Sequence, residues 1–209
     1  MNDRSVTIVD YGAGNMLSVC RAFRHVGAEV EIVSDPARLA EARRLVVPGV
    51  GAFADCKRGL SEVPGMLDAL EETVIKGGRP FLGICVGMQL MAERGREHGV
   101  HQGLGWIKGE VVPLEPSDPT LKIPHMGWNE LEVLRPHPVL AGLPAGAHAY
   151  FVHSYRMSCT DADELARIDY GGPVTAVIGR DNLVGTQFHP EKSQDAGLAL
   201  IANFLTWRP

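Results

Sequence analysis

Residues 81–90, FLGICVGMQL, decide how this chain is read. FLGI (81–84) is a short apolar run suited to a buried strand, and VGMQLMAERGRE (86–97) continues with helical spacing. Between them stands Cys85, with Gly83 two places before it and Gly87 two places after. A buried core cysteine needs neither glycine. G-x-C-x-G at a strand-to-helix turn is the nucleophile-elbow pattern with cysteine in place of serine. Small neighbours permit the sharp turn, and the amide groups and dipole of the following helix N-terminus favour a thiolate.

Working back toward the N-terminus, apolar runs alternate with helical segments. VTIVD (6–10) leads into YGAGN and the amphipathic MLSVCRAFRHVG, which stops at Gly27. EVEIV (29–33) is a second strand, and Asp35-Pro36 supplies a cap and an N1 proline for the next helical piece. RRLVVPG (43–49) is a third strand running into a glycine loop, and PGMLDALEETVIKGG (64–78) is a helix. This βαβα rhythm predicts an open, mostly parallel sheet flanked by helices. Beyond residue 105 the rhythm changes. GEVVPLEP, WNELEVL, HAYFVHSYRM and ELARIDY read as strands, VTAVIGRDNLVGTQF as a hairpin turning at RDN, and SQDAGLALIANFLTW as a closing helix capped by Ser193. The expectation is a single α/β domain over residues 1–209, with antiparallel strands added in its C-terminal half.

The composition narrows the function classes. Hydrophobic residues make up 45% of the 209, enough for a sizeable core, and a net charge of −5 gives no reason to expect a nucleic-acid or membrane-surface ligand. The N-terminus has no basic leader before an apolar segment, and nowhere is there a run of about 18 apolar residues. A cytoplasmic protein is expected. Cys20, Cys56, Cys85 and Cys159 form no C-x-x-C pair, so neither a metal site nor a dithiol motif is predicted, and the three other than Cys85 are expected to be reduced and mostly buried.

A thiolate needs a base, and the base needs an orienting group. QFHPEKS (187–193) offers both. The residue before a proline is pushed toward extended backbone, where residues i and i+2 face the same side, so Glu191 can hold the imidazole of His189. Acyl transfer also needs oxyanion donors. PGVG (48–51) lies just after the third strand, and its glycines allow backbone N–H groups close approach. In an open parallel sheet, sites form at the carboxyl ends of strands, where both PGVG and Cys85 fall. A phosphate-binding loop is the competing reading of PGVG, but it lacks the P-loop lysine and the G-x-G-x-x-G spacing.

PGVGAF, GICVGMQL and QFHPEKS, in that order, resemble the class I (triad) glutamine amidotransferases. KIPHMGWNEL (122–131), IVDYGAGN (8–15) and YFVHSY (150–155) resemble, within them, the glutaminase subunits of imidazole glycerol phosphate synthase. The resemblance spans nearly the whole chain and implies the flavodoxin-like fold of that class. It implies that Cys85 attacks the side-chain amide of glutamine, that His189 is the acid and base, and that Glu191 orients it, with no cofactor. The oxyanion would lie between Val86 and the loop residues Val50 and Gly51. Glutamine would be held by Gly49, Gly87 and Gln89, by Glu97 at its α-amino group, and by His153, Ser154 and Tyr155 largely through backbone. Asn15, His125, Met126, Trp128 and Lys192 would face a cyclase subunit, a separate (β/α)₈ barrel that receives the ammonia.

The glutaminase subunit of pyridoxal phosphate synthase shares the triad but carries G-G-E-S where this chain has PGVG. A stand-alone hydrolase of another γ-glutamyl substrate leaves PHMGWN without a purpose. A non-catalytic docking protein of the same fold would be expected to have lost a triad residue, and Cys85, His189 and Glu191 are all present.

Overall fold

The structure is a computed structural model that describes residues 4–209. β1 (Ser5–Val9) leads through α1 (Met16–His25) to β2 (Glu29–Val33), and a 3₁₀ turn at Pro36–Glu41 leads on to β3 (Leu45–Gly49). Asp35 accepts from the Ala37 N–H at 3.0 Å, so the cap and the N1 proline work as read, on a tighter helix than expected. α2 (Phe53–Glu62) and α3 (Met66–Leu70) follow, the latter widening into a π-type turn at Glu71–Lys76 before β4 (Phe81–Cys85). The segment forming α2 had not been read as a helix.

After β4 comes α4 (Val86–Gln89), a single turn, and then β5 (Ala92–Gly95). The expected helix over 86–97 is therefore wrong beyond its first turn. Leu90, Met91 and Ala92 are wholly buried. Their backbone groups pair with a distant segment: the N–H groups of Gly103, Leu104, Gly105 and Ile107 donate to the carbonyls of Glu93, Leu90, Ala92 and Met91. A non-local ladder has displaced local helical preference. The remaining elements are β6 (His101–Gln102), β7 (Ile107–Pro113), β8 (His125–Glu130), β9 (Glu132–Val133), β10 (His148–His153), β11 (Tyr155–Cys159), β12 (Glu164–Asp169), β13 (Pro173–Arg180), β14 (Leu183–Thr186) and α5 (Gln194–Thr206), with 3₁₀ turns at Pro138–Leu140 and Pro190–Lys192.

Among the described residues the central sheet runs β2-β1-β3-β4-β14-β13-β12-β9. The first five strands are parallel and the last three antiparallel, in the doubly wound order 2-1-3-4-5 extended at one edge. The chain thus has an α/β fold with a mostly parallel central sheet. Because β1→β2 and β3→β4 step in opposite directions, right-handed crossovers put α1 and α2 on opposite faces. α5 joins α1, with Phe23 and Phe204 meeting edge to face at 6.3 Å. β4 is buried along its whole length between β3 and β14, which is why its run is continuously apolar. β8 and β10 form a separate antiparallel pair, and β11-β7-β5-β6 a third, mixed sheet, both made from the C-terminal half and the segment after α4. Among the described residues no helix is long and apolar enough to cross a membrane.

Candidate active site

β3, β4 and β14 end side by side, with Gly49 paired to Cys85 and Thr186 to Ile84, so the three segments that follow them converge. Cys85 has φ 55° and ψ −110°, a strained conformation for a non-glycine residue. The flanking glycines make it possible. A Cβ on Gly87 would lie 1.9 Å from the Val47 carbonyl oxygen, and one on Gly83 would lie 2.6 Å from that of Gly87. The turn is pressed against β3, and neither glycine can be replaced without moving backbone.

His189 and Glu191 follow β14. Both side chains are almost wholly buried, and Nδ1 of the imidazole stands 2.8 Å from Oε1 of the carboxylate. Burial alone pushes the imidazole pKa down, but the hydrogen bonds and negative charges of Cys85 and Glu191 outweigh it and hold it up at about 9. His189 is therefore an imidazolium near neutrality, facing the sulfur with its other edge. Ser193, expected to cap α5, makes no such cap bond. Its hydroxyl donates to the His189 carbonyl at 2.6 Å and accepts from the Tyr150 N–H at 3.0 Å, fixing the triad loop against β10.

These groups border a cavity of about 350 Å³ lined by Val50, Gly51, Cys85, Val86, Gln89, Glu97, Pro124, Val152, His153, Ser154, Tyr155 and His189. Its walls carry an acceptor, Glu97, whose Oε2 takes the Phe53 N–H at 2.6 Å and so ties the cavity to the start of α2. The arrangement suits attack by a thiolate on a small acyl group, with an imidazolium placed to protonate what leaves.

Residues 7–207 match the family described as glutamine amidotransferase class-I. This chain belongs to it. The class I amidotransferase is 58% identical to a protein of Brucella suis biovar 1 named imidazole glycerol phosphate synthase subunit HisH, over 98% of this chain and 99% of that one. It is 57% identical to the protein of the same name from Bradyrhizobium diazoefficiens, over 98% and 100%. A crystal structure of a glutamine amidotransferase shares the fold at a TM-score of 0.71 and 22% identity, covering 92% of this chain and 94% of that one.

Most of the expected amidotransferase site residues come together at the cavity, but several are placed differently. Gly49 and Gly87 do not border it. A Cβ on Gly49 would lie 2.8 Å from the Gly87 amide nitrogen, so these glycines let two backbones touch. His125, expected on a docking face with Met126 and Trp128, is 3% exposed. Strand alternation turns it inward, with its ring 3.9 Å from that of Tyr170, while Met126 and Trp128 are 63% and 46% exposed. Asn15 caps α1 by accepting from the Ser18 N–H at 3.3 Å, and the Lys192 ammonium lies 5.7 Å above the Tyr150 ring. Cys20 and Cys56 are buried, and Cys159 is half-buried.

Three groups of the amidotransferase site, Tyr11, Cys56 and Gln187, have no role in the sequence reading. Tyr11, from YGAGN, is buried and donates its hydroxyl to the Pro48 carbonyl at 2.6 Å, while the Cys56 thiol reaches the Val50 carbonyl at 3.4 Å. Both therefore brace the PGVG loop. Gln187 is wholly buried, with its amide nitrogen 3.8 Å from the Cys85 sulfur. Its place at the start of QFHPEKS was visible, but nothing in the sequence shows that it points at Cys85.

Proposed function

We propose that this chain is the glutaminase subunit of an imidazole glycerol phosphate synthase, working in the cytoplasm in histidine biosynthesis. The observation that carries the chemistry is the buried imidazolium of His189, held between the Glu191 carboxylate and Cys85 at the edge of a glutamine-sized cavity. The assignment to this synthase is supported by relatives of that name aligned along almost the whole chain.

The Cys85 thiolate adds to the amide carbon of the glutamine side chain. Charge moves onto the carbonyl oxygen, which lies between the Val86 N–H and an N–H of Val50 or Gly51. Collapse of this adduct breaks the C–N bond as the His189 imidazolium gives its proton to the departing nitrogen, leaving ammonia and a glutamyl thioester. The neutral imidazole then takes a proton from water, which attacks the thioester to release glutamate and the thiolate. Glu191 keeps the ring oriented throughout. Gln89 and the 153–155 segment position the substrate, and the Glu97 oxygen not used by Phe53 faces its α-ammonium. Donors of the oxyanion kind are typically worth about 10²–10³ in rate, so the stance of the PGVG loop sets activity.

The partner is a (β/α)₈-barrel cyclase subunit, which takes the ammonia and produces imidazole glycerol phosphate and aminoimidazole carboxamide ribotide. Trp128 and Met126, exposed on β8, with Lys192 and the Asn15 turn, form the docking face. Glutamate release is to be measured for the purified chain alone and with a cyclase subunit plus a ligand for its barrel. Low activity alone, a large rise in the mixture and none at all for Cys85→Ala are expected. High activity alone with no response to the cyclase would overturn the assignment to this synthase while keeping the triad.

A further inference from the structure

A line of hydrogen bonds behind the cavity leads to the nucleophile, and its direction can be worked out from one fixed end. The Tyr155 carbonyl can only accept. It lies 3.2 Å from the Gln89 Nε2 and 2.9 Å from the His153 Nδ1, so both of those atoms carry the hydrogen. The same Gln89 nitrogen is 3.0 Å from the Gln187 side chain, which must therefore present its oxygen. The other end of that amide, the NH₂ group, is then turned to the Cys85 sulfur. His153, protonated at Nδ1, accepts at Nε2 from the His125 Nδ1 at 3.1 Å. Burial pushes both of these histidines down to about 4, so they stay neutral and the pattern does not change near pH 7.

We infer that Gln187 is a positioning residue for the glutaminase reaction, its locked side-chain amide donating to the Cys85 sulfur and favouring the thiolate. The inference rests on the reading of Cys85 as nucleophile. α4 is a single turn and brings a short dipole, so the donors around the sulfur take over much of the stabilisation expected of a helix. Both Gln89 N–H groups are engaged, which leaves its oxygen as the atom available to the cavity and fixes that wall as an acceptor.

The test is the pH dependence of Cys85 alkylation by iodoacetamide, followed by peptide mapping, in the parent, Gln187→Met and Gln187→Glu. Methionine keeps the volume and loses the donor, whereas glutamate keeps the acceptor for Gln89 and sets an oxygen against the sulfur. The other titratable groups facing Cys85 or its cavity are His189, Tyr11, Cys56, Glu97, His153 and Tyr155, and neither substitution replaces any of them. Loss of a hydrogen bond to a charged group predicts that the alkylation profile moves up by about one pH unit in Gln187→Met. A larger move is expected in Gln187→Glu, with kcat falling more than KM rises in both. An unmoved profile in either folded variant would overturn the inference, and if one variant fails to fold the other decides. Absence of Cys85 labelling in the parent, together with absent glutaminase activity, would instead overturn the nucleophile assignment.

Discussion

Cys85 sits at a backbone conformation that costs an ordinary residue about 1–3 kcal/mol, and the surrounding contacts must hold it there. Its proton chemistry depends on His189, whose pKa stands at about 9 through Cys85 and Glu191 despite the opposing effect of burial. Because the folded value is above the unfolded one, the stability this group contributes is fully present below about pH 6.5 and is lost as pH rises through about 9. Urea unfolding of the parent is therefore expected to weaken between those limits, and Cys85→Ala to flatten the trend. The acid proposed to protonate the departing nitrogen is lost over the same range, so kcat should decline above about pH 9. Glu191→Gln should bring that decline down by about one unit, since it removes the neighbouring charge. A pH–rate profile unchanged by Glu191→Gln would separate Glu191 from the imidazole's titration.

At the scale of elements, the stretch after Cys85 shows how local preference is overruled. ERGRE has good helix formers, yet β5 forms because its backbone meets the 102–107 segment and β7. Gly103 marks the closeness: a Cβ there would fall 2.0 Å from the Ala92 carbonyl oxygen. Gly95 lies at the end of β5, and a Cβ on it would meet the Phe53 ring at 2.7 Å. Phe53 opens α2 directly after the PGVG loop, and its N–H is held by Glu97. Gly95→Ala is thus expected to displace Phe53, lowering stability by about 1–3 kcal/mol in urea unfolding. It should also raise the KM for glutamine, because Glu97 and the loop move with Phe53. A variant of parental stability and KM would show that the ring shifts without disturbing the cavity wall.

For the whole molecule, the exposed side chains of Ile123, Met126 and Trp128 lie on and just before β8, while His125 of the same strand faces the interior. An exposed tryptophan and methionine together suit the centre of an interface. Trp128 touches Tyr150 edge to face at 6.0 Å, and Lys192 lies over the Tyr150 ring, so the proposed docking surface and the loop of His189 share neighbours. Trp128→Ala should weaken the complex with the cyclase at least about tenfold on titration, with unfolding of the isolated chain little changed. Its glutaminase activity should then respond to the cyclase only at higher partner concentration. Unchanged affinity would remove Trp128 from the interface.

The sequence alone determined the repeating strand–helix order of the first half, the turn at Gly83–Gly87 and the His189–Glu191 pair. Each of these is local: hydrophobic period, turn residues and short separation act over a few positions, so they can be read from the residues in order, although Glu191 sits in a 3₁₀ turn (Pro190–Lys192) and not on the extended backbone expected of it. Tertiary structure decided the rest. The strand at Ala92–Gly95, the inward turn of His125, the packing role of Gly49 and Gly87 and the aim of Gln187 at the sulfur all depend on partners many residues away. Gln187 and Cys85 are 102 residues apart, and only the parallel pairing of β14 with β4 brings them together. Side-chain spacing cannot encode such a meeting, because sheet register, set by the burial of whole strands, is what fixes it.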